Sequence, residues 1–405
     1  MNILALTSAY PQPDDGNEVV TPTVQYFCRK WVEAGHRVIV VHNNSCFPRV
    51  LYWIPNGIRK KLSSKLGHNF PTAESTKKLV RDDCGVKVYR FPMVKKIPHS
   101  KFSNRVLQSQ VSMIRCVLES EDVVPDVIVS HWVNPQVDLM RILKNIYPTA
   151  KASLVFHNDC SEKNIEKFKL QDVSKAFDAI GCRSDAYADY VQTCLKLPKK
   201  PFICYSGIPD EQAASQEQFL SLGASLQRNR EFLFVGRLVT YKKVDVIIRA
   251  LAKVYSDKKF VLNVVGIGAE KERLQNLANE LGISKNVIFY GQISREKVFE
   301  LMKKCFCFTM VSEKETFGMV YIEAMLAGCV TIASKDGGVD GVIINGKNGF
   351  LSPEGDADAL AEIYKKIELM SDEDIDNLRK NAVKTALGFK DSAVAQKYLS
   401  NVLNS

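Results

Sequence analysis

Two glutamates eight positions apart stand in the stretch "EKETFGMVYIEAMLAGCVTIAS". Glu323 is the only charged side chain between Thr316 and Ser334, inside a run that otherwise reads as buried helix followed by buried strand. An ionised carboxylate in apolar surroundings is costly unless something pairs with it. Glu315 precedes Gly318, where the chain bends into the helix. The first amides of that helix, at Gly318, Met319 and Val320, have no carbonyl one turn back, and the helix dipole favours an anion in front of them. Roughly two turns of helix would bring Glu323 round to the face of Glu315. A carboxylate there can accept hydrogen bonds from a vicinal diol such as a ribose. Hydroxyls on both sides of a diphosphate describe a nucleotide sugar. The competing reading has one glutamate capping a helix and the other satisfied by backbone amides.

A second pair lies in "FVGRLVTYKK", where a strand ends at Gly236 and Arg237 and Lys242 follow. Arginine offers a planar fork of donors and lysine a compact charge, which together suit a diphosphate. Basic residues on a solvated turn are the plainer alternative.

These four side chains need a scaffold, and apolar runs alternating with helical stretches supply one. "NILALTSAY", the helix "TPTVQYFCRKWVEAG" and "HRVIVVHNN" form a βαβ start, with Thr21 placed to cap the helix and Pro22 in its first turn. "GVKVYRFPM", "DVIVSHWVN", "KASLVFHND" and "AIGCRSD" continue the series, each strand-like and ending in polar residues. Ligands of open α/β sheets bind beyond the carboxyl ends of strands, where His131 and His157 stand. A second alternating series starts at "EFLFVGRLV" and runs through "KFVLNVVGIG", "NVIFYGQI", "FCFTMVS" and "CVTIAS". Between them "SGIPDEQAASQEQFLSLGASLQRNR" is polar, without strand pattern, and reads as the linker. The expected architecture is two doubly wound, Rossmann-like α/β domains facing a central cleft. The boundaries are 1–205 for the first domain and 206–387 for the second, with the helix at about 388–405 returning to the first.

Composition fits this frame. The chain has 405 residues, 46% hydrophobic and 25% charged, which is ordinary for two globular domains. No apolar run reaches the ~18 residues of a membrane span. The N-terminus lacks a basic start and a cleavage site and reads as strand and loop. Eleven scattered cysteines without a C-x-x-C pair read as reduced core thiols of a cytoplasmic protein. The net charge of +10 is concentrated: residues 45–105 hold fourteen basic and three acidic side chains, with Phe47, Tyr52, Trp53, Phe70 and Phe102 among them. Such a segment, with Lys60, Lys61, Lys95 and Lys96 foremost, suits an anionic membrane surface or an anionic acceptor; a solvated variable loop is the alternative. No nucleic-acid motif accompanies it.

Read together, "GRLVTYKK", "VVGIGAEKERLQNLANELG", "VIFYGQIS", "EKETFGMVYIEAMLAG" and "GGVDGVIINGKNGFL", in this order and spacing, resemble the family-four glycosyltransferases of the GT-B fold. The likeness is strong over about 231–352 and looser in the N-terminal half, through the first βαβ unit, "AGHRVIVV" and the His157 region. It implies a retaining, metal-independent enzyme without a cofactor, using a nucleotide-diphosphate sugar, with uridine diphosphate sugars the family habit. By resemblance, Arg237 and Lys242 hold the donor diphosphate and Glu315 orients the transferred sugar. The backbone at Phe317, Gly318, Met319 and Val320 holds phosphate and sugar oxygens, Glu323 holds the ribose, and His157 contacts the sugar near the leaving group. The loop after the first strand, where relatives carry a glycine pair, reads Gly16 followed by Asn17. Before Gly207 stands Ser206, where relatives often have asparagine. The implied acceptor is a glycan or lipid-linked hydroxyl, in surface polysaccharide synthesis at the inner face of the cell membrane.

Other readings stay open at this point. Glu315 and Glu323 could be the acid and base of a glycoside hydrolase, although hydrolysis needs them to flank a bond. A non-catalytic glycosyltransferase-like binding subunit and a sugar-nucleotide epimerase are further options. "VGIGAE" lacks the third glycine of a dinucleotide fingerprint. The D-x-D strings at Asp356–Asp358 and Asp374–Asp376 suggest metal binding, but both stand where helices are expected to begin.

Overall fold

The computed structural model describes residues 1–12, 22–48, 76–95, 100–221, 229–256, 259–313 and 315–405. Two compact units divide them. One comprises Met1–Arg183, Ala188–Cys204 and Val394–Ser405; the other comprises Ser184–Tyr187 and Tyr205–Ala393.

The first unit holds β1 (Asn2–Thr7), β2 (Arg37–Cys46), β3 (Leu79–Asp83), β4 (Val86–Val94), β5 (Val127–His131), β6 (Lys151–Phe156), β7 (Ala179–Cys182) and β8 (Phe202–Ile203). They form one sheet in the order β3-β4-β2-β1-β5-β6-β7-β8. Only the β3–β4 hairpin is antiparallel. β1, β5 and β6 are buried almost throughout, as expected of parallel strands covered on both faces. The strand order reverses between β1 and β5, and Thr7 pairs there with His131. This reversal is the usual ligand position in such sheets. The edge strands β3 and β8 escaped the sequence reading because both are short and the first is polar.

The helix Thr23–Glu33 buries Val24, Phe27 and Trp31, at helical spacing, against this sheet. Pro22 sits at its N-cap position with no side-chain cap, and Thr21, expected to cap it, lies outside the described residues. The last helix, Asp391–Leu403, completes this layer. Trp31 Nε1 donates to the Ala395 carbonyl at 2.9 Å, and the Tyr398 hydroxyl lies 3.1 Å from Ser153 Oγ.

The second unit is a fully parallel sheet of β9 (Glu231–Val235), β10 (Val261–Val265), β11 (Val287–Gly291), β12 (Cys307–Met310), β13 (Val330–Ser334) and β14 (Phe350–Ser352). Its order is β11-β10-β9-β12-β13-β14, so the reversal falls between β9 and β12. The "VGIG" glycines serve backbone packing. A Cβ on Gly266, at φ +138°, would meet the Gly236 carbonyl oxygen at 1.8 Å, and one on Gly268 would meet the Leu238 oxygen at 2.1 Å. In return Gly236 N–H donates to Val265 and Leu238 N–H to Ile267, at 3.0 and 2.9 Å.

Both D-x-D strings are helix starts. Asp356 Oδ1 accepts from the Asp358 and Ala359 amides at 2.9 Å, and Ser371 Oγ accepts from the Asp374 amide at 3.1 Å. The polar linker region is partly a helix, Asp210–Ser221.

The basic segment needs correction where it is described. Lys95, expected on an anionic surface, is buried, with Nζ 5.4 Å from the centre of the Phe102 ring. Phe47 and Phe102 are core residues as well. Lys60, Lys61, Lys96, Tyr52, Trp53 and Phe70 lie outside the described residues. Among the described residues no helix is long and apolar enough to cross a membrane.

Candidate active site

The loops at the β9/β12 reversal bring three of the four residues singled out first into one constellation. After β9 the chain turns at Gly236 and makes a short 3₁₀ turn, Thr240–Lys242. After β12 it runs through Glu313 and Glu315 to the helix Met319–Leu326. The two loops are latched together. Glu313 N–H donates to the Tyr241 carbonyl at 2.8 Å, and Lys243 pairs with Glu313 at 2.7 Å. The Lys242 ammonium is ion-paired with Glu315 Oε2, both side chains being largely buried, and it also lies 3.8 Å from Met310 Sδ. Glu315 Oε1 accepts from the Thr316 amide at 3.2 Å.

Tyr241 organises the basic side. Its hydroxyl accepts from Arg237 Nη2 at 2.9 Å, and Lys242 Nζ lies 5.8 Å from its ring centre. Arg237 remains exposed. Sequence reading passed over Tyr241, although its place between Arg237 and Lys242 was a signal.

Gly318 enters the helix at φ +76°, a conformation costly for a residue with a Cβ. Tyr321 N–H to the Gly318 carbonyl, 3.0 Å, opens the ladder, so the amides of Gly318, Met319 and Val320 lie ahead of it. Phe317 is buried, its ring 4.9 Å from that of Tyr205. The "GGVDG" loop presses on this backbone: a Cβ on Gly338 would come within 2.6 Å of Phe317 N.

Two expectations about Glu323 change. The helix begins at Met319, so Glu323 is only about one turn in and shares no helical face with Glu315. Nor does it stand alone: Arg295 Nε donates to its Oε1 at 2.8 Å, and Arg295 Nη2 reaches the same oxygen. The guanidinium thus answers the lone carboxylate of the apolar helix. Arg295 opens the helix Arg295–Lys304, twenty-eight residues away, and no periodicity links the two.

In the first unit, His131 ends β5 and His157 follows β6. Nδ1 of His131 lies 2.9 Å from Nε2 of His157, a hydrogen bond. His131 is fully buried, whereas His157 is partly exposed. The Trp132 indole stacks on the His157 ring at 4.1 Å and 20°. Asp159 ties the two loops together, accepting from the Val133 amide at 2.6 Å and the His157 amide at 3.0 Å. Burial, and then the Arg183 guanidinium, pull His131 down to about 3 and hold His157 well below its ordinary value, so both imidazoles are neutral. Burial pushes the Asp159 carboxyl up to about 6 against the pull of the Val133, His157 and Asp159 amides.

The loop after β1 starts in a charged clamp that sequence reading missed. Asp83 takes Tyr10 Oη at 2.8 Å, Gln25 Nε2 at 2.9 Å, Arg29 Nη2 at 2.6 Å and Arg81 at 3.1 Å. Burial alone would raise its carboxyl, but the bonds from Arg29, Gln25 and Tyr10 outweigh that and hold it below the usual range. Arg81 Nη2 also donates to the Pro11 carbonyl at 2.8 Å. Gly16, expected to approach the donor, lies outside the described residues.

Residues 222–386 match the family described as Glycosyl transferases group 1. An uncharacterized glycosyltransferase of Methanocaldococcus jannaschii is 25% identical over 296 residues, covering 71% of this chain and 77% of that protein. The N-acetyl-alpha-D-glucosaminyl L-malate synthase of Bacillus anthracis is 34% identical over 134 residues, about a third of each chain. Among solved structures, a glycosyltransferase from Rickettsia africae superposes with a TM-score of 0.68 at 15% identity, covering 100% of this chain and 98% of the other. HepE of Anabaena in complex with UDP and glucose gives 0.62 at 19% identity, with full coverage of both. At such identities the structures establish the fold: two Rossmann-like α/β domains of the GT-B class.

Proposed function

We propose that this chain, whose residues 222–386 carry the group 1 glycosyltransferase domain, moves a sugar from a nucleoside diphosphate sugar to a hydroxyl of a glycan or lipid-linked acceptor, with retention of configuration. The observation that carries the reading is the meeting of Lys242 and Glu315, with Arg237 near by on Tyr241, beside the open amides of Gly318, Met319 and Val320. A single acid pair would need no such cationic and N–H-rich setting. A departing diphosphate would, because preorganised charge is what stabilises it.

In this reading Arg237, Lys242 and the helix amides take the diphosphate, with no metal or other cofactor. Glu315 shares Lys242 with the phosphates and orients the sugar hydroxyls. Glu323, held by Arg295 through Oε1, offers Oε2 to the ribose, and His157 contacts the sugar. The acceptor hydroxyl attacks on the face the leaving group vacates, and a phosphate oxygen takes its proton. UDP is the first nucleotide to try, since HepE binds it. Domain bounds of 1–205 and 206–387, a cytoplasmic site of action at the membrane surface and a role in surface polysaccharide synthesis belong to the same proposal. The membrane part rests on the basic residues of 45–105 other than the buried Lys95 and Arg90 and the Asp83-bound Arg81.

The test is a donor screen that detects released nucleotide, with the anomeric proton of the product read by NMR. Use of one nucleotide sugar with retained configuration supports the proposal. Cleavage of free oligosaccharide without use of any nucleotide sugar would point to a hydrolase. Calorimetry showing no binding of UDP or other nucleotides would point to a non-catalytic subunit. Binding to anionic vesicles should weaken with salt and in a Lys60→Gln, Lys61→Gln variant; unchanged binding removes the membrane part.

A further inference from the structure

The pair of imidazoles has a polarity that can be worked out from its surroundings. A neutral imidazole carries one N–H and one bare nitrogen. The bond between His131 Nδ1 and His157 Nε2 therefore needs its proton on one side only. The other nitrogen of His131, Nε2, is buried and has no hydrogen-bond partner. Around it are the rings of Phe27, at 6.0 Å, and Tyr398, at 5.6 Å between centroids. A proton on Nε2 would be a buried donor with no acceptor, the rarer kind of unsatisfied group. A bare Nε2 is the cheaper state, and the guanidinium of Arg183, buried in the same unit with Nη1 bonded to the Cys204 carbonyl at 2.5 Å, favours a lone pair over an N–H in its field. The proton of His131 then sits on Nδ1 and is given to His157.

We propose that His131 is a positioning residue that donates Nδ1–H to Nε2 of His157, so that His157 holds its own proton on Nδ1 and offers that N–H to an oxygen of the substrate. The stacked Trp132 indole and the Asp159 bond to the His157 amide fix the ring that makes the offer. His157 is then a donor of fixed direction and no charge, suited to a sugar or phosphate oxygen and unable to act as a base through Nε2. The role given to the substrate rests on the reading of the chain as a glycosyltransferase; the tautomer does not.

The experiment labels the six histidines with ¹⁵N in the imidazole ring and records two-bond proton–nitrogen correlations at neutral pH, assigned with His131→Asn and His157→Gln. The expected spectrum has His157 protonated on Nδ1 and bare at Nε2, and His131 protonated on Nδ1. A His157 protonated on Nε2 overturns the proposal. His131→Asn, whose amide nitrogen can donate from near the place of Nδ1, should keep the His157 tautomer and keep kcat within about threefold. His131→Leu should mix the two tautomers and lower kcat at least tenfold, with a smaller change in KM. A single Nδ1–H tautomer in His131→Leu also sinks the proposal. If the leucine variant does not fold, the wild-type spectrum still decides. If the tautomer is as stated and no nucleotide sugar is bound or used, the functional reading fails and the proton assignment stands.

Discussion

The two halves of the chain solve the problem of a polar site on an apolar sheet in opposite ways. In the second unit the carboxylates of Glu315 and Glu323 are each matched with a cation, Lys242 and Arg295. In the first unit the imidazoles of His131 and His157 are matched with each other and stay neutral. Under the proposed function the ion pairs would meet the diphosphate and the neutral imidazoles the sugar. The difference teaches that burial alone does not mark a functional group; its partner decides whether it meets a ligand as an ion or as a dipole.

The contrast breaks most visibly at Lys242. Lys242→Met should lower kcat by about a hundred- to a thousandfold, the scale for losing one preorganised charge at the transition state. A loss below tenfold in nucleotide release would make the Lys242–Glu315 pair a structural latch only.

The neutral cluster should show itself in acid. The folded chain refuses the proton on His131 down to about pH 3, whereas the unfolded chain accepts it near 6.5. Stability from this residue is full above pH 6.5 and falls as pH drops, by about 1.4 kcal/mol per unit. Asp159 works the other way. Its carboxyl stays protonated to about pH 6 in the fold and ionises near 3.9 in the unfolded chain, so its contribution falls as pH rises from about 4 to 6. In urea unfolding between pH 4 and 6, His131→Asn should flatten the acid loss and Asp159→Asn should steepen it. Parallel curves for the two variants and wild type would show that neither group titrates as described.

Smaller effects sharpen the charged side. Arg295→Leu frees Glu323 and should weaken UDP binding about tenfold, roughly 1.4 kcal/mol, while leaving kcat nearly unchanged. Tighter UDP binding on calorimetry would mean that Arg295 competes for the carboxylate instead of aiming it. Asp356→Ala should cost about 1 kcal/mol in thermal or urea stability, the loss of a helix cap, with turnover unaffected by magnesium or manganese in either protein. Metal-dependent activity that vanishes in this variant would revive the D-x-D reading.

Much of the scaffold is legible in the residue order, because parallel strands are apolar runs and the glycines and polar residues at their ends punctuate them. "NILALT", "VIVSH" and "EFLFV" appear where the alternation puts them. Arg237, Lys242, Glu315 and Gly318 are legible too, since each follows or precedes an element end. What the chain order hides is partnership at a distance. Arg295 reaches Glu323 across twenty-eight residues and Arg29 reaches Asp83 across fifty-four, and no local pattern encodes either meeting. The span from Glu315 to Glu323 was misjudged for a related reason: eight residues count as two turns only if all are helical, and the helix starts halfway, at Met319.

One steric detail reaches further than its size. At Gly266 and Gly268 one main chain rides directly on the peptides of Gly236 and Leu238, with no room for a methyl group. The segment carrying Arg237 is thus braced from beneath by a neighbouring main chain. A saturation library would record both glycines as intolerant, and an assay of donor use would file them with the binding residues. The clash with Gly236 and Leu238 is a defect in the mounting of Arg237.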